Sequence, residues 1–388
     1  MNIKQLDQSY IAPTYARFPL NLVSGAGSLV QDDAGKEYID LGTGIAVNTF
    51  GLCDDAWVQA VTQQLHTLQH ASNLYYTGPC AELARMLCEK TGMSKVFFSN
   101  SGAEANECLI KAARKWAAEN KGAEYTTILT LKNSFHGRTI TTLAATGQDV
   151  FHQDFLPLTE GFAYVEANNI ADLYEKVRAH PCAGILFECV QGEGGVVPLT
   201  QEFVHAMEKL AQEENFLLLC DEVQTGNGRT GTLYSYMQYG ITPDVVSTAK
   251  GLAGGLPLGA TLLGAKLDGV LTAGTHGSTF GGNPVCCAGA ISVLSRLDEA
   301  LLDEVRKKSS YIMETLAGAP GVESVSGLGL MLGVKTVRDA GEVISACMEK
   351  GVLVIKAKDK VRLLPALNIP WPQLEKAVGI LKDVCAGA

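Results

Sequence analysis

The sequence predicts an α/β fold in which a mostly parallel sheet lies between layers of helices. Short apolar runs alternate along the chain with amphipathic stretches of helical spacing, and this alternation is typical of parallel sheets covered on both faces. The chain has 388 residues, of which 47% are hydrophobic and 19% are charged. It can therefore bury a large core, and it is not a disordered chain.

The elements follow one another in a regular order. A hairpin-like segment, GAGSLVQDDAGKEYIDL, comes first. The predicted strands are KVFFS, TTILTL, AGILFE, FLLLC, DVVST and ATLLG, and the predicted helices include residues 56–71, 81–90, 104–119 and 202–214. After Asn283 the pattern changes to two long helical stretches, GLMLGVKT, a helix, GVLVIK and VRLLP. We therefore expect an N-terminal segment (1–45) that packs with a small domain, a large domain (46–282) and a C-terminal small domain (283–388).

Charge and cysteine usage narrow the class of protein. The net charge of −10, with no cluster of basic residues, argues against nucleic acid and anionic membranes as partners. The first residues lack the apolar core of a signal peptide, and no uncharged stretch is long enough to span a bilayer, so we expect a cytoplasmic protein. The eleven cysteines are scattered without any Cys-x-x-Cys, which predicts reduced thiols and no metal site.

Several predicted strands end in residues suited to chemistry, and ligands bind beyond the carboxyl ends of parallel strands. Lys250 follows DVVSTA and precedes fifteen uncharged residues. Such a lysine is either a surface residue beside a Gly-rich loop or an amine kept neutral and nucleophilic. Asp221 follows FLLLC, where a carboxylate is costly unless it meets a cation. Glu193 follows AGILFECV in a Gly-rich turn.

A phosphate cradle is predicted where KVFFS runs into a helix. The backbone N–H groups of Ser101, Gly102 and Ala103 would lie at the helix N-terminus, although Ser101 and Glu104 also suit an ordinary capping box. Pyridoxal phosphate needs such a cradle together with a lysine for a Schiff base, an acid at the pyridine nitrogen and a flat residue over the ring. Because the strand ends offer these groups together, the sequence predicts pyridoxal 5′-phosphate as the cofactor.

These segments also carry a family resemblance. Residues 221–260, DEVQTGNGRTGTLYSYMQYGITPDVVSTAKGLAGGLPLGA, closely resemble the signature of the class III (ornithine-type) aminotransferases. Further blocks of the family occur in the expected order, namely SNLYYTGP, FFSNSGAEANE, SFHGRT, GEGG, GSTFGGNP and VRLLPALNI. The resemblance covers nearly the whole chain and implies the fold type I architecture of pyridoxal-phosphate-dependent transferases.

The resemblance implies how this sequence would hold the cofactor. Lys250 matches the Schiff-base lysine, which also moves a proton between the substrate carbon and C4′, and Asp221 matches the partner of the pyridinium nitrogen. The other implied contacts come from Phe135 and Val223 on the two ring faces, Gln224 at the phenolic oxygen, Ser101, Gly102 and Ala103 at the phosphate, and Thr279 from the other subunit. That last contact implies a homodimer with shared active sites.

The resemblance also implies a reaction with two substrates. Arg362 matches the arginine that binds the α-carboxylate of glutamate, Glu193 the carboxylate that neutralises it, and Arg138 the arginine for the other carboxylate. The segments TYARFPLNLVSGAG, GIAVN and SNLYYT favour the members that act on N²-acetylornithine. The implied activity is a ping-pong transfer of the δ-amino group of N²-acetylornithine to 2-oxoglutarate, as in arginine biosynthesis.

Other activities stay open on sequence alone. Ornithine, succinylornithine and 4-aminobutyrate are alternative amino donors, because the residues that distinguish them cannot be placed without coordinates. An aminomutase with the same cofactor is a further alternative, and a protein that only binds phosphate or a nucleotide is disfavoured because neither Gly-rich segment has the required spacing.

One block departs from the family. Most relatives have a Gly-His-x-His-Pro turn where this chain has Gly-Leu-Cys-Asp-Asp at residues 51–55. None of the residues assigned to the chemistry is lost, and Asp54 or Asp55 would still cap the following helix.

Overall fold

The computed structural model describes residues 2–387, and each predicted amphipathic stretch, 56–71, 81–90, 104–119 and 202–214, overlaps a helix. The helices Ile3–Tyr10, Ile140–Ala145 and Ile170–Ala179 were not predicted. The helices that enclose the sheets are Ile3–Tyr10, Asp55–Thr67, Gly78–Thr91, Gly102–Asn120, Ile140–Ala145, Ile170–Ala179, Gln201–Glu213, Pro284–Leu294, Glu299–Leu316, Ala340–Glu349 and Trp371–Ala386. Among the described residues, no helix is long and apolar enough to cross a membrane.

The strands form a large central sheet and smaller sheets around it. In chain order they are β1 Leu22–Ala26, β2 Leu29–Asp32, β3 Glu37–Asp40, β4 Lys95–Ser99, β5 Thr127–Leu131, β6 Phe162–Val165, β7 Cys182–Phe187, β8 Val190–Gln191, β9 Val197–Pro198, β10 Leu217–Asp221, β11 Val245–Thr248, β12 Gly259–Leu263, β13 Val322–Leu328, β14 Met331–Thr336, β15 Val352–Leu353, β16 Ile355–Ala357 and β17 Lys360–Leu363. The six predicted apolar runs correspond to strands β4, β5, β7, β10, β11 and β12 of the central sheet, whereas β6 was not predicted. The α/β fold class is therefore confirmed.

The central sheet of the described chain has seven strands in the order β4-β12-β11-β10-β7-β5-β6. Strands β11, β10, β7, β5 and β6 are parallel, whereas β12 is antiparallel to both of its neighbours, β11 and β4. Strand β4 therefore runs in the same direction as the parallel strands. As a result, β4, β5, β7, β10 and β11 all end at one edge of the sheet, where the topology of such folds places a ligand.

Both faces of the central sheet are buried. Along β10, Leu218 and Cys220 join one hydrophobic cluster while Leu217 and Leu219 join another on the opposite face. Successive side chains of a strand point to opposite faces, so this run is apolar throughout because helices cover both sides. The helix Gly102–Asn120 packs on the second face, where Trp116 is buried.

The two ends of the chain meet in one small sheet. Strand β3 pairs in parallel with β15, so the N-terminal hairpin joins the order β1-β2-β3-β15. Beside it, β13-β14-β17-β16 form an antiparallel sheet. The segment GVLVIK, expected as one strand, is divided between β15 and β16 in these two sheets, and neither β13 nor the helix Trp371–Ala386 was predicted. The division into domains at residues 45 and 282 stays a prediction.

The atypical turn at residues 51–55 keeps its capping function. Asp54 is the N-cap of the helix Asp55–Thr67, and its Oδ1 accepts a hydrogen bond of 3.0 Å from the backbone N–H of Trp57. The same oxygen lies 2.8 Å from Nη1 of Arg296, whose guanidinium covers the ring of Phe50 at 3.9 Å. An ion pair and an aromatic contact thus hold this turn without the histidines and proline of the family.

Candidate active site

Lys250 lies immediately after β11, at the start of a 3₁₀ turn over Lys250–Ala253. Its φ of 41° lies in the left-handed region, which costs energy for a residue other than glycine and recurs at functional sites. Two neighbours fix the turn: the hydroxyl of Thr49 donates to the carbonyl of Gly251 at 2.7 Å, and Nε1 of Trp57 donates to the carbonyl of Ala253 at 2.9 Å. The backbone of Lys250 is therefore held by contacts that do not involve its amine.

The amine of Lys250 lies in a site that favours its neutral form. Burial lowers the pKa of Lys250, Glu193 opposes this shift, and the charge of Arg362 reinforces it. A lowered pKa increases the fraction of neutral, nucleophilic amine at a given pH. This property distinguishes Lys250 from the surface lysine that the sequence left open.

Asp221 ends β10 and is held by three donors. Its Oδ2 accepts hydrogen bonds from Nδ2 of Asn106 at 2.7 Å and Nδ1 of His136 at 2.8 Å, and its Oδ1 accepts from the backbone N–H of Val223 at 2.9 Å. The hydroxyl of Ser247 orients Asn106 by donating to Oδ1 of that amide at 2.6 Å. The buried carboxylate therefore has one fixed orientation.

Most of the predicted site residues line one cavity of about 260 Å³. The residues that line it are Gly102, Ala103, Asn106, Phe135, His136, Gly137, Arg138, Glu188, Asp221, Val223, Gln224 and Lys250. Three of the strand ends noted in the sequence, those before Ser101, Asp221 and Lys250, thus converge as the parallel topology requires.

The predicted phosphate cradle lies at the start of the helix Gly102–Asn120. Ser101 is the N-cap and accepts a hydrogen bond of 3.2 Å from the backbone N–H of Glu104, while the Glu104 carboxylate accepts from the N–H of Asn100 at 2.6 Å. Capping thus occurs, and it leaves the first-turn N–H groups directed out of the helix, where they suit an anion. A Cβ at Gly102 would lie 2.6 Å from Cγ1 of Val223, so only glycine allows this approach.

The aromatic and basic side chains at the mouth of the cavity contact one another. Phe135 packs edge to face against Phe151, with ring centroids 5.9 Å apart. The guanidinium of Arg138 lies 4.3 Å from the ring centroid of Phe151 and 5.7 Å from that of Phe135. Arg138 is exposed, so its charge is accessible to a substrate carboxylate.

Arg362, Glu193 and Gln224 form a cluster that we call the Arg362 cluster. Arg362 lies on β17 and is only 2% exposed. Its Nη1 donates to Oε1 of Glu193 at 2.6 Å and to Oε1 of Gln224 at 3.0 Å. Burial raises the pKa of Glu193, but the charge and hydrogen bond of Arg362 outweigh it, so that the pKa lies below its ordinary value. The guanidinium is thus paired with a carboxylate of the protein.

Four residues of the cavity were not predicted as site residues: Asn106, His136, Gly137 and Glu188. Asn106 and His136 lie in the family blocks FFSNSGAEANE and SFHGRT. Their role depends on contacts with Asp221, which is 115 and 85 positions away in the sequence. Glu188 follows β7 directly, so it carries the same signal, a carboxylate at the end of an apolar strand, that identified Asp221.

Four predicted site residues do not line this cavity, namely Ser101, Glu193, Arg362 and Thr279. Three of them lie beside it, since Ser101 precedes Gly102 and both Glu193 and Arg362 bond to Gln224. The fourth is Thr279. It lies in an exposed loop, and Nδ2 of Asn73 fixes that loop by donating to the carbonyls of Ser278 and Gly281, each at 2.9 Å. The role of Thr279 in a second copy of the chain stays a prediction.

Comparison with known proteins identifies the family. A family model described as "Aminotransferase class-III" matches residues 10–385. The chain belongs to the class-III aminotransferases. It is 49% identical over 384 residues to the acetylornithine aminotransferase of Haemophilus ducreyi, covering 98% of each chain, and 45% identical to that of Caldanaerobacter subterraneus, covering 97% of this chain and 98% of the relative. The family predicted from the sequence blocks is thereby confirmed.

Solved structures resemble this class-III aminotransferase over its whole length. The N-acetylornithine aminotransferase of Stenotrophomonas maltophilia superposes with a TM-score of 0.85 at 33% identity, covering 99% of this chain and 98% of that one. The ornithine aminotransferase of Toxoplasma gondii superposes with a TM-score of 0.95 at 29% identity, covering 99% and 94%. The fold is therefore the fold type I of pyridoxal-phosphate enzymes.

Class-III aminotransferases use pyridoxal 5′-phosphate, which confirms the cofactor predicted for this class-III aminotransferase. The cavity fits that group. It joins a lysine of lowered pKa, a fixed carboxylate, a flat aromatic ring and a helix N-terminus where a Cβ would fill the space. When bound, the cofactor supplies an electron-accepting ring that stabilises negative charge at the substrate carbon. The enzyme is thus a pyridoxal-phosphate-dependent aminotransferase that takes an amino donor and a keto acid.

Proposed function

We propose that this enzyme transfers the δ-amino group of N²-acetylornithine to 2-oxoglutarate, giving glutamate and the corresponding semialdehyde. The observation that carries the proposal is the Arg362 cluster, where a nearly buried guanidinium is paired with Glu193 beside Lys250. An arginine that can be either paired or free allows one site to accept an alkyl chain in one half-reaction and a carboxylate in the other. The names of the relatives from Haemophilus ducreyi and Caldanaerobacter subterraneus support the same donor.

Each cavity residue has a role in this proposal. Lys250 would hold the cofactor covalently and would move a proton between the substrate carbon and C4′, and its lowered pKa supports both tasks. Asp221 would stabilise a proton on the pyridine nitrogen, because its three hydrogen-bond partners fix the buried carboxylate in one orientation. The contacts that hold the cofactor come from Phe135 and Val223 on the ring faces, Gln224 at the phenolic oxygen and the backbone N–H groups of Ser101, Gly102 and Ala103 at the phosphate.

The substrate carboxylates are bound by two arginines. Arg138, exposed at the mouth of the cavity, binds the α-carboxylate of N²-acetylornithine in one half-reaction and the γ-carboxylate of 2-oxoglutarate in the other. Arg362 binds the α-carboxylate of glutamate or 2-oxoglutarate, for which its planar fork is suited. When N²-acetylornithine is bound, Glu193 pairs with Arg362, so the guanidinium is not left with an unpaired buried charge.

We also propose that the enzyme works as a homodimer in the cytoplasm, with Thr279 of each copy completing the phosphate site of the other. The loop of Thr279 adjoins an exposed apolar patch formed by Leu74, Tyr75, Tyr76 and Phe280. Contiguous exposed apolar side chains of this size are typical of protein interfaces. A second copy of the chain would cover this patch and bring Thr279 to the cofactor.

A panel of amino donors tests the proposed activity. With 2-oxoglutarate as acceptor, N²-acetylornithine should give the highest kcat/KM, ahead of ornithine, succinylornithine and 4-aminobutyrate. Turnover should require the keto acid, which an aminomutase would not need. A preference for another donor by about tenfold or more would contradict the proposed substrate.

Changes to the Arg362 cluster should alter the ratio of the catalytic efficiencies of the two half-reactions. In Glu193→Gln, Arg362 loses its anionic partner and stays available for carboxylates. The efficiency with glutamate should hold or rise, whereas that with N²-acetylornithine should fall relative to it by about 1–3 kcal/mol of transition-state binding. Arg362→Lys should do the reverse, because it loses bidentate binding of the glutamate carboxylate.

Single-turnover absorbance of the bound cofactor with each donor measures the two half-reactions separately. The two variants serve as controls for each other, since they alter the same ion pair from opposite sides. An equal loss of both half-reactions in Glu193→Gln would show that Glu193 is a structural carboxylate of the turn.

A further inference from the structure

Glu188 joins two parts of the active site through one carboxylate. Its Oε2 accepts a hydrogen bond of 3.0 Å from the backbone N–H of Phe135, and its Oε1 accepts one of 3.3 Å from the backbone N–H of Gly192. Glu188 is 5% exposed and lines the cavity. The side chain thus bridges the segment of the ring-stacking Phe135 and the turn that leads to Glu193.

A small displacement of either backbone group, that of Phe135 or that of Gly192, would change the geometry of the active site. Phe135 lines the cavity beside Asp221, and its ring contacts Phe151. Gly192 is packed so tightly that a Cβ there would lie 2.6 Å from Oε1 of Gln224, the same oxygen that accepts a hydrogen bond from Arg362. A shift of Gly192 would therefore disturb the Arg362 cluster.

Burying a carboxylate at this position costs desolvation free energy, and this cost argues against a role that is only to fill space. Burial and the charge of Asp221 raise the pKa of Glu188 to about 7, although His136 and the two backbone donors oppose the rise. Buried carboxylates are rarely retained where an apolar side chain would serve. Perturbed groups of this kind cluster at functional sites.

We propose that Glu188 is a positioning residue whose carboxylate fixes the backbone of Phe135 relative to the turn that carries Glu193. Glu188 thereby couples the orientation of the cofactor ring to the geometry of the Arg362 cluster. In this role Glu188 acts through its two backbone partners, the N–H groups of Phe135 and Gly192. The part that concerns the Arg362 cluster rests on the proposed function, whereas the part that concerns Phe135 does not.

Two variants weaken the bridge in different ways. In Glu188→Gln the amide nitrogen must face one of the two N–H donors, so one hydrogen bond is lost. In Glu188→Asp the side chain is one methylene shorter and cannot hold both backbones at their present separation. Glu222→Gln is the matched control, because Glu222 is equally buried but lies outside the cavity lining, with bonds to Ser235, Thr225 and the N–H of Tyr236.

The experiment uses the holoenzyme and two measurements. Visible circular dichroism, normalised to the amount of bound cofactor, measures the orientation of the cofactor ring. The ratio of single-turnover rates with N²-acetylornithine and with glutamate measures how well the Arg362 cluster serves each donor. Both Glu188 variants should lose ellipticity, and their rate with N²-acetylornithine should fall about tenfold more than their rate with glutamate, as expected from one lost hydrogen bond. Glu222→Gln should match the wild type in ellipticity and in the ratio of rates.

Several results would overturn the proposal. Wild-type ellipticity and a ratio of rates within about twofold of wild type in folded Glu188 variants would assign Glu188 a purely structural role. The same conclusion follows if neither Glu188 variant folds while Glu222→Gln does. If wild-type enzyme fails to react with both donors, the proposed function is wrong, but ellipticity still decides whether Glu188 seats the ring.

A double variant tests the coupling itself. If Glu188 affects donor balance through Glu193, then Glu188→Gln added to Glu193→Gln should change the ratio of rates by less than about twofold, because the two residues act in series. A further tenfold change would show that Glu188 acts on donor balance by another route and would overturn the coupling.

Discussion

Replacing Lys250 by alanine should abolish amino-group transfer. The variant loses the nucleophile that binds the cofactor covalently and the base that moves the substrate proton, and two such losses together cost several kcal/mol in the activation barrier, or a fall of at least about a thousandfold in kcat. The protein should still fold, because Thr49 and Trp57 hold the turn through its backbone carbonyls and not through the amine.

The measurement is steady-state turnover together with the cofactor retained after gel filtration. Cofactor should still bind non-covalently at the cradle of Ser101, Gly102 and Ala103, with an absorbance spectrum that differs from that of the wild type. Lys266→Ala is a suitable control, since Lys266 pairs with Asp244 at the surface and lies outside the cavity lining. Turnover within about tenfold of wild type would contradict the role of Lys250.

Replacing Asp221 by asparagine should slow both half-reactions sharply and by similar factors. A neutral partner no longer favours a protonated pyridine nitrogen, and the ring accepts electrons in both directions of transfer. The amide also cannot accept from all three present donors, His136, Asn106 and the N–H of Val223, if its nitrogen faces any of them. We expect a loss of about 3 kcal/mol or more in each half-reaction.

Rapid mixing with each donor separately measures both rates, and fluorescence titration checks that the cofactor still binds. Asp244→Asn is the matched control, because Asp244 also accepts a backbone hydrogen bond, from Leu218 at 2.9 Å, but lies just before β11 at the opposite edge of the central sheet. Slowing of only one half-reaction by Asp221→Asn would exclude the assigned role.

The sequence predicts those site residues that interrupt a local pattern. Lys250 and Asp221 stand out because each places a charge at the end of an apolar strand, and the parallel order of the strands then brings them to one edge. Glu188 obeys the same rule, but a second carboxylate, Glu193, follows in the Gly-rich turn GEGG, and the sequence pattern favours that residue. His136 and Asn106 could not be found in this way, because their role depends on contacts with Asp221 that only the folded chain creates.

The strands of the fold that the sequence does not predict are likewise those that lack a clear local pattern. Six strands of the central sheet are visible as apolar runs, and β5, β7 and β10 bury apolar side chains on both faces. Strand β6 is mostly half-buried and was not predicted. Strand β13 is half-exposed and contains Ser324, Ser326 and Gly327, so its composition resembles a loop. The segment 352–357 is one apolar run in sequence, but pairing with β3 and β17 divides it between two sheets.

The position of β12 governs the order in which the site can assemble during synthesis. Within the described chain, β4 pairs only with β12, so the strand that leads into the phosphate cradle has no neighbour until residues 259–263 have left the ribosome. The nascent chain must carry β4 without its native partner strand through the synthesis of five other strands of that sheet, and Arg362 is added later still. Native contacts between distant segments of this kind slow folding and expose strand edges to aggregation. The complete cofactor site can therefore form only after residues 259–263 and Arg362 have been synthesised.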